Sequence, residues 1–304
     1  MAELCWGIDL GGTKIEGVVL PAGNSTEAVC RMRIPTEREQ GYEHVRRNIV
    51  GLVQNMTEQV GTRPKAVGFG TPGTLDPQTN NLKNSNTTCL IGRPLQRDLV
   101  ADLGCPVELA NDANCFALAA ARLGAGRGAP TVFGIILGTG VGGGVVVDGK
   151  ALKGGQGIGG EWGHIVLDPK GEPCYCGRNG CVETFLSGPH LEAHYAKLSA
   201  TPRPLAEIAS RATGGQDTGV QDAAAEATME RLIQWFGRGV ATVINILDPH
   251  VVVLGGGVSN IDALYTDGVE ALAPWVFNDT VHTRVVRNEL GDSAGVFGAA
   301  MLVA

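Results

Sequence analysis

The sequence predicts an α/β protein of two lobes made from duplicated α/β units, and three observations carry that expectation. Residues 4–10 read as an apolar strand, Gly11-Gly12-Thr13-Lys14 as a glycine bend, and residues 15–20 as a second strand. The same succession returns at 132–137, 138–144 and 145–148, again with a threonine in the bend. Between and after the two copies, stretches with the helical period alternate with short apolar runs bounded by glycine, as in sheets covered by helices. A chain of 304 residues has room for two cores. The expectation is a small lobe of residues 1–115 with a C-terminal helix at 293–304, and a large lobe of 116–292, facing each other across a cleft.

In order, residues 41–61 carry a helical stripe of Val45, Ile49, Leu52, Val53 and Met56. Residues 65–70 form a buried strand leading into Thr71-Pro72-Gly73, the kind of strand end where ligands collect in open sheets. A short strand at 107–110 delivers Asn111 and Asp112 to an alanine-rich helix that runs from 113 to about 123. Residues 223–247 read as a long helix whose stripe runs from Met229 to Leu247, stopped by Asp248-Pro249. Residues 251–254 are a parallel-type strand entering Gly255-Gly256-Gly257, and the small-residue tail 295–304 packs back on one lobe.

Composition excludes several classes of function. The formal net charge of −7 and the short Lys/Arg clusters argue against a nucleic-acid partner. No basic-then-apolar leader opens the chain, and no apolar run reaches the roughly 20 residues a bilayer crossing needs. A soluble, cytoplasmic protein with no membrane partner is expected. Cys5, Cys30, Cys89, Cys105 and Cys115 read as small buried hydrophobes, and His190, His194, His250 and His282 as surface or helix histidines.

Between His164 and Cys181, one imidazole and three thiols, Cys174, Cys176 and Cys181, crowd a Gly/Pro-rich segment. Four such ligands suit tetrahedral Zn²⁺ with no position left for water, a structural site. Reduced thiols agree with a cytoplasmic setting. Such a knot would fix the neighbouring Glu161, His164 and Glu183, donors and acceptors enough for a small molecule rich in hydroxyls.

Two matched glycine bends, with backbone N–H groups unobstructed by side chains, point to a nucleotide polyphosphate near Gly11, Gly12, Thr13, Lys14, Gly138 and Thr139. Asp9, directly before the first bend, would hold Mg²⁺ through water. Asp112 has the ordinary reading of a helix N-cap. At a strand end in the lobe with the first bend, it also suits a base that takes the proton from a hydroxyl attacking a γ-phosphate, with Asn111 fixing a neighbouring hydroxyl.

These pieces together resemble the ROK sugar kinases, a branch of the actin-like (ribonuclease H-like) ATPase fold, nearly end to end. The matching motifs are Asp9-Leu-Gly-Gly-Thr-Lys14, Leu109-Ala-Asn-Asp-Ala-Asn114, Leu137-Gly-Thr-Gly-Val-Gly-Gly-Gly144, Gly160-Glu-Trp-Gly-His164, Cys174-Tyr-Cys-Gly-Arg-Asn-Gly-Cys-Val-Glu183 and Leu254-Gly-Gly-Gly-Val-Ser-Asn260. The resemblance implies ATP-dependent phosphorylation of a hexose, usually at the 6-hydroxyl, with Asp112 as base. It implies Asn111, Glu161, His164 and Glu183 on the sugar, and zinc on His164, Cys174, Cys176 and Cys181. It further implies Gly256, Gly257 and Ser259 near adenosine, Gly73 and Asn86 at the sugar, and a homodimer.

Within the family, Lys83-Asn-Ser-Asn-Thr-Thr88, Gly92-Arg-Pro-Leu95, Pro173-Cys-Tyr-Cys176 and Glu183-Thr-Phe-Leu-Ser-Gly188 look most like bacterial fructokinases with mannokinase activity. Cys89 stands where many relatives carry Trp, which makes the pocket wall smaller. Fructose, mannose or glucose is the expected substrate class, with N-acetylglucosamine as the alternative. A sugar-responsive regulator on the same fold is disfavoured because the first strand leaves no room for a helix-turn-helix. A partner-moving actin-like ATPase is disfavoured by the cluster at 160–183.

Overall fold

The computed structural model describes residues 3–23, 25–214 and 222–304. The chain begins with β1 (Leu4–Leu10), β2 (Lys14–Pro21) and β3 (Cys30–Pro35), an antiparallel meander in which Asp9 lies opposite Glu16. Helix α1 (Tyr42–Val60) follows, then β4 (Val67–Thr71), the short β5 (Thr74–Leu75) and β6 (Leu82–Lys83), α2 (Leu95–Leu103), β7 (Val107–Asn111) and α3 (Asp112–Arg122). Strand β1 pairs in parallel with β4 and β4 with β7, giving a five-stranded sheet of order β3-β2-β1-β4-β7. Helix α1 buries Tyr42, Val45, Ile49, Leu52, Val53 and Met56, the stripe that its 3.6-residue period places on one face, and ends on Gly61 in the left-handed region. Each such side chain contributes roughly 1.5–3 kcal/mol on leaving water.

Strands β8 (Thr131–Leu137), β9 (Val141–Val147) and β10 (Lys150–Ala151) form the second meander. After the segment that carries the cysteines come α4 (Glu183–Leu186), α5 (Gly188–Ser199), α6 (Leu205–Ala212) and α7 (Ala223–Leu247). Strand β11 (Val251–Gly255), α8 (Asp267–Glu270), β12 (Arg284–Arg287) and α9 (Ala294–Met301) complete the chain. The second sheet has the order β10-β9-β8-β11-β12, with β11 parallel to β12. Both sheets are thus a three-strand meander extended by two further strands on the side of its first strand, which is the duplication the sequence predicts.

The chain divides into two compact units, residues 1–134, 144–160 and 288–304, and residues 135–143 and 161–287. A division at 115 would cut through α3, whose residues 113–121 are all buried. In the first unit, α9 packs against β1, β2, β4 and α3. Gly298 makes this possible, because a Cβ there would overlap the carbonyl of Cys115. In the second unit, α7 packs with α4, α5, α6 and α8. Among the described residues, no helix is long and apolar enough to cross a membrane.

Candidate functional site

In the first unit, the three parallel strands end at one level. Asp9 of β1 is paired with Gly70 of β4, Gly70 with Ala110, and Thr71 with Asn111 of β7. Asn111 is the N-cap of α3: its Oδ1 accepts the Ala113 N–H at 2.8 Å. The cap role considered for Asp112 therefore falls to its neighbour, and Asp112 is the first residue of the helix. Its Oδ1 accepts the same N–H at 2.8 Å, and the residue is exposed. Committing the Asn111 oxygen to the cap leaves its amide NH₂ as the group that can donate.

Asp9 is half-buried and walled by glycines: a Cβ on Gly295 would meet its Oδ2 at 3.2 Å, and one on Gly70 its Oδ1 at 3.4 Å. Burial first, then the charges of Asp112 and Glu16, push its carboxyl from 3.8 up to about 6, against the pull of Lys14 and Arg33. A divalent cation would reverse this balance, because it supplies the positive charge the cluster lacks. In the bend, Gly11, Gly12 and Lys14 are half-buried and Thr13 is exposed. The Lys14 ammonium lies 3.8 Å from Glu16, which is buried and also holds Arg33 at 2.7 Å. Gly73 is buried with positive φ, while Asn86 is exposed and its Oδ1 accepts the Thr87 hydroxyl at 3.5 Å. Cys89 is half-buried and packs against the core of this unit.

In the second unit, one ligand atom from each of His164, Cys174, Cys176 and Cys181 lies within 4.8 Å of all the others. The His164 Nδ1 faces the Cys174 Sγ at 3.6 Å, and the Cys176 and Cys181 sulfurs are 3.5 Å apart. One nitrogen and three thiols converging with no carboxylate among them fit a metal ion of borderline softness. The backbone builds the cluster. The Cys174 N–H donates to Arg178 O at 2.7 Å, Gly180 N–H to Glu172 O at 2.8 Å, and Leu167 N–H to Gly180 O at 2.8 Å. Gly180 has φ +64, and a Cβ there would overlap the Asp168 carbonyl. Burial and the adjoining thiols push Cys181 up to about 12, and burial raises Cys174. Cys176 is held low: burial opposes, but the Arg178 N–H and the other two cysteines prevail.

The His164 Nε2, on the other edge of the ring, is 3.0 Å from the hydroxyl of Tyr175, whose ring meets the imidazole edge-on at 5.1 Å. Sequence reasoning passed over Tyr175, although its place between two metal-type cysteines was a signal that it sits at the cluster. Glu183 is 7% exposed, and its Oε2 accepts the Val141 N–H at 3.0 Å. This bond fastens Glu183 to the second glycine bend, and the Gly188 N–H donates to Gly138 O at 2.9 Å in the same place. Glu161 is exposed along its chain, yet crowding of its carboxyl by protein raises its pKa, which His164 opposes. Thr139, Gly256 and Gly257 are exposed, whereas Ser259 is buried and its hydroxyl donates to Gly256 O at 2.7 Å. Ser259 thus closes its own turn.

Two sheets of matching order, with carboxylates at the strand ends of the first and a His/Cys cluster after the second meander, define an actin-like ATPase fold with duplicated α/β units. The model of the ROK family matches residues 5–304, and the chain belongs to that family. Among solved structures it is similar to the ROK hexokinase from Thermus thermophilus, with 33% identity, coverage of 98% of this chain and 97% of that one, and a TM-score of 0.86. A ROK family glucokinase from Streptomyces griseus in complex with glucose and AMPPNP is 30% identical over 99% of both chains, with a TM-score of 0.75. Curated relatives include the N-acetyl-D-glucosamine kinases of Yersinia enterocolitica, 35% identical, and Aliivibrio fischeri, 36% identical, each over 98% of both chains.

Proposed function

We propose that this protein is an ATP-dependent sugar kinase that phosphorylates the 6-hydroxyl of N-acetylglucosamine. The observation that carries the chemistry is the row of strand ends that sets Asp9 and Asp112 close enough for each charge to be felt by the other. The sugar class is supported by the N-acetyl-D-glucosamine kinases, which match the chain over nearly its whole length. They favour this alternative over the fructose or mannose preference suggested by the segments around 83–95 and 173–188. Glucose is the second reading, favoured by the glucokinase solved with glucose.

Asp112 accepts the proton of the 6-hydroxyl as the hydroxyl oxygen bonds to the γ-phosphorus and the bond from that phosphorus to the β–γ bridging oxygen breaks, ADP leaving with its electron pair; the amide NH₂ of Asn111 donates to a neighbouring hydroxyl. The carboxylates of Glu161 and Glu183 accept further sugar hydroxyls. The His164 Nε2 exchanges the Tyr175 hydroxyl for one of the sugar's, while Nδ1 serves the metal. The glycine bends at 11–14 and 138–139 offer N–H groups to the phosphates, and Gly256 and Gly257 approach adenosine. Mg²⁺, held through water by Asp9, would offset the charge on the phosphates. A Zn²⁺ ion on His164, Cys174, Cys176 and Cys181 would have no open position, so its contribution is rigidity. The reading includes a reducing, cytoplasmic compartment, supported by eight free thiols, and a homodimer, which sedimentation of the reduced protein checks.

The test is coupled ADP release over N-acetylglucosamine, glucose, mannose, fructose and N-acetylmannosamine. The highest kcat/KM is expected for N-acetylglucosamine. Higher values for fructose or glucose would reassign the sugar, and ADP release independent of any sugar would overturn the kinase reading.

A further inference from the structure

In the second unit, the segment at 168–173, α4, α5 and α7 line a cavity of about 410 Å³ that is open to solvent on one side. That volume falls within the range of small-molecule sites, roughly 300–1,000 Å³. Its charge is lopsided. Arg231, Lys197, His190 and His194 line it, while Glu172 is already paired with Lys197 at 2.6 Å. The other carboxylate, that of Asp168, accepts the backbone N–H of Lys170 at 2.9 Å.

Arg231 is the informative member. It is half-buried, its guanidinium lies 4.6 Å from the centre of the Phe185 ring, and its Nη2 donates to Thr184 O at 3.5 Å. Burial lowers its pKa, and the Glu172 charge opposes this. Among the described residues no carboxylate is in contact with this guanidinium; partly withdrawn from water in that way it is costly, and a bound anion would recover that cost with bidentate geometry. The His190 ring is fixed by a 2.8 Å hydrogen bond between its Nδ1 and the Ser187 hydroxyl. Trp235, stacked on Phe185 at 3.9 Å between ring centres, supplies an aromatic wall.

We propose that this cavity binds a phosphate group, carried by a small monoester or by free inorganic phosphate, with Arg231, His190 and His194 on the phosphate, and that its occupancy is transmitted to the cysteine cluster and Glu183. Pro173 and Thr184 both line it, and they are the covalent neighbours of Cys174 and Glu183. The binding claim is independent of the kinase reading; the transmission claim rests on it.

Trp235 makes the site observable. The full-length, zinc-loaded protein is titrated without nucleotide, at fixed ionic strength, with inorganic phosphate and separately with glucose 6-phosphate, while tryptophan fluorescence is followed. A saturable change is expected with at least one of them, absent in Trp235→Phe, unaltered in Asp112→Asn, and with Kd raised at least about tenfold in Arg231→Gln. Tighter binding of the sugar ester would show that the ring contributes; equal binding would mark the site as one for free phosphate. If Arg231→Gln does not fold, His194→Gln replaces it, with an expected rise in Kd of about threefold or more. The proposal is overturned by no saturable change in the parent protein. It is also overturned by a response that survives Trp235→Phe, is indifferent to both cavity substitutions, or disappears in Asp112→Asn. Transmission is read as a shift of KM for N-acetylglucosamine by the bound ester, abolished in the same cavity variant, and an unshifted KM refutes it. Failure of the kinase reading would appear separately, as no sugar-dependent ADP release.

Discussion

Asp9 stands at the end of β1 with its carboxyl half enclosed, and charging it there costs free energy. Its value of about 6 lies above the ordinary 3.8, so between those limits the folded chain holds the proton that the unfolded chain has released. Stability then falls as pH rises through that interval and stays flat above it. Asp9→Asn removes the penalty: without nucleotide or Mg²⁺ it should be more stable than the parent at pH 8, by at most roughly 3 kcal/mol, a difference that disappears below the ordinary value of 3.8. Urea unfolding on either side of that interval checks this, and the same variant should lose activity. Asp112 is exposed and bears no such enclosure. Asp112→Asn should keep fold and metal content while turnover drops by about 10²- to 10⁴-fold, measured by ADP release and metal analysis. Motif recognition picked out Asp9, Asp112 and the four metal-type ligands because each sits in a distinctive local string. Their partners were hidden: that Asn111 takes the cap, that Ser259 closes its own turn and that Val141 anchors Glu183 are facts of three-dimensional register.

Elements were legible where periodicity was strong. The stripe of α1, the arrest of α7 at Asp248 and the strand at 251–254 are all found within a residue or so of their expected limits. The segment 165–182 has no period to read, and its form comes from cross-chain bonds such as Val182 N–H to Ile165 O at 2.9 Å. Its stability should depend on the metal. Cys181→Ser is expected to lose the ion and to lower Tm by about 10 °C, followed by calorimetry and metal analysis. Because Cys174 and Cys181 sit above the usual thiol value, loading must release protons. Apparent affinity should therefore rise from pH 6 to pH 8, as competition with a chromophoric chelator would show. Helix α9 is held by contact rather than by coordination: Gly298→Val places methyl groups on the Cys115 carbonyl and should cost at least about 3 kcal/mol, measured by denaturant unfolding.

For the whole molecule, recurrence of the strand–bend–strand pattern was enough to reveal two related sheets. The exact partition was less visible, because long-range contacts decided it: residues 116–134 and 144–160, expected with the second lobe, group with 1–115 and 288–304. A chain cut after 287 should leave β1, β2 and β4 unprotected in hydrogen exchange, since α9 covers these three strands in the intact chain. This arrangement sets an order of events during synthesis. The first strands leave the ribosome early, yet the helix that seals them arrives only after nearly three hundred residues have been made, a wait on the order of tens of seconds. During that wait an apolar sheet face stands open, so nascent chains should depend on a holding chaperone, and a bulky group fused directly behind α9 should depress soluble yield far more than one placed before β1.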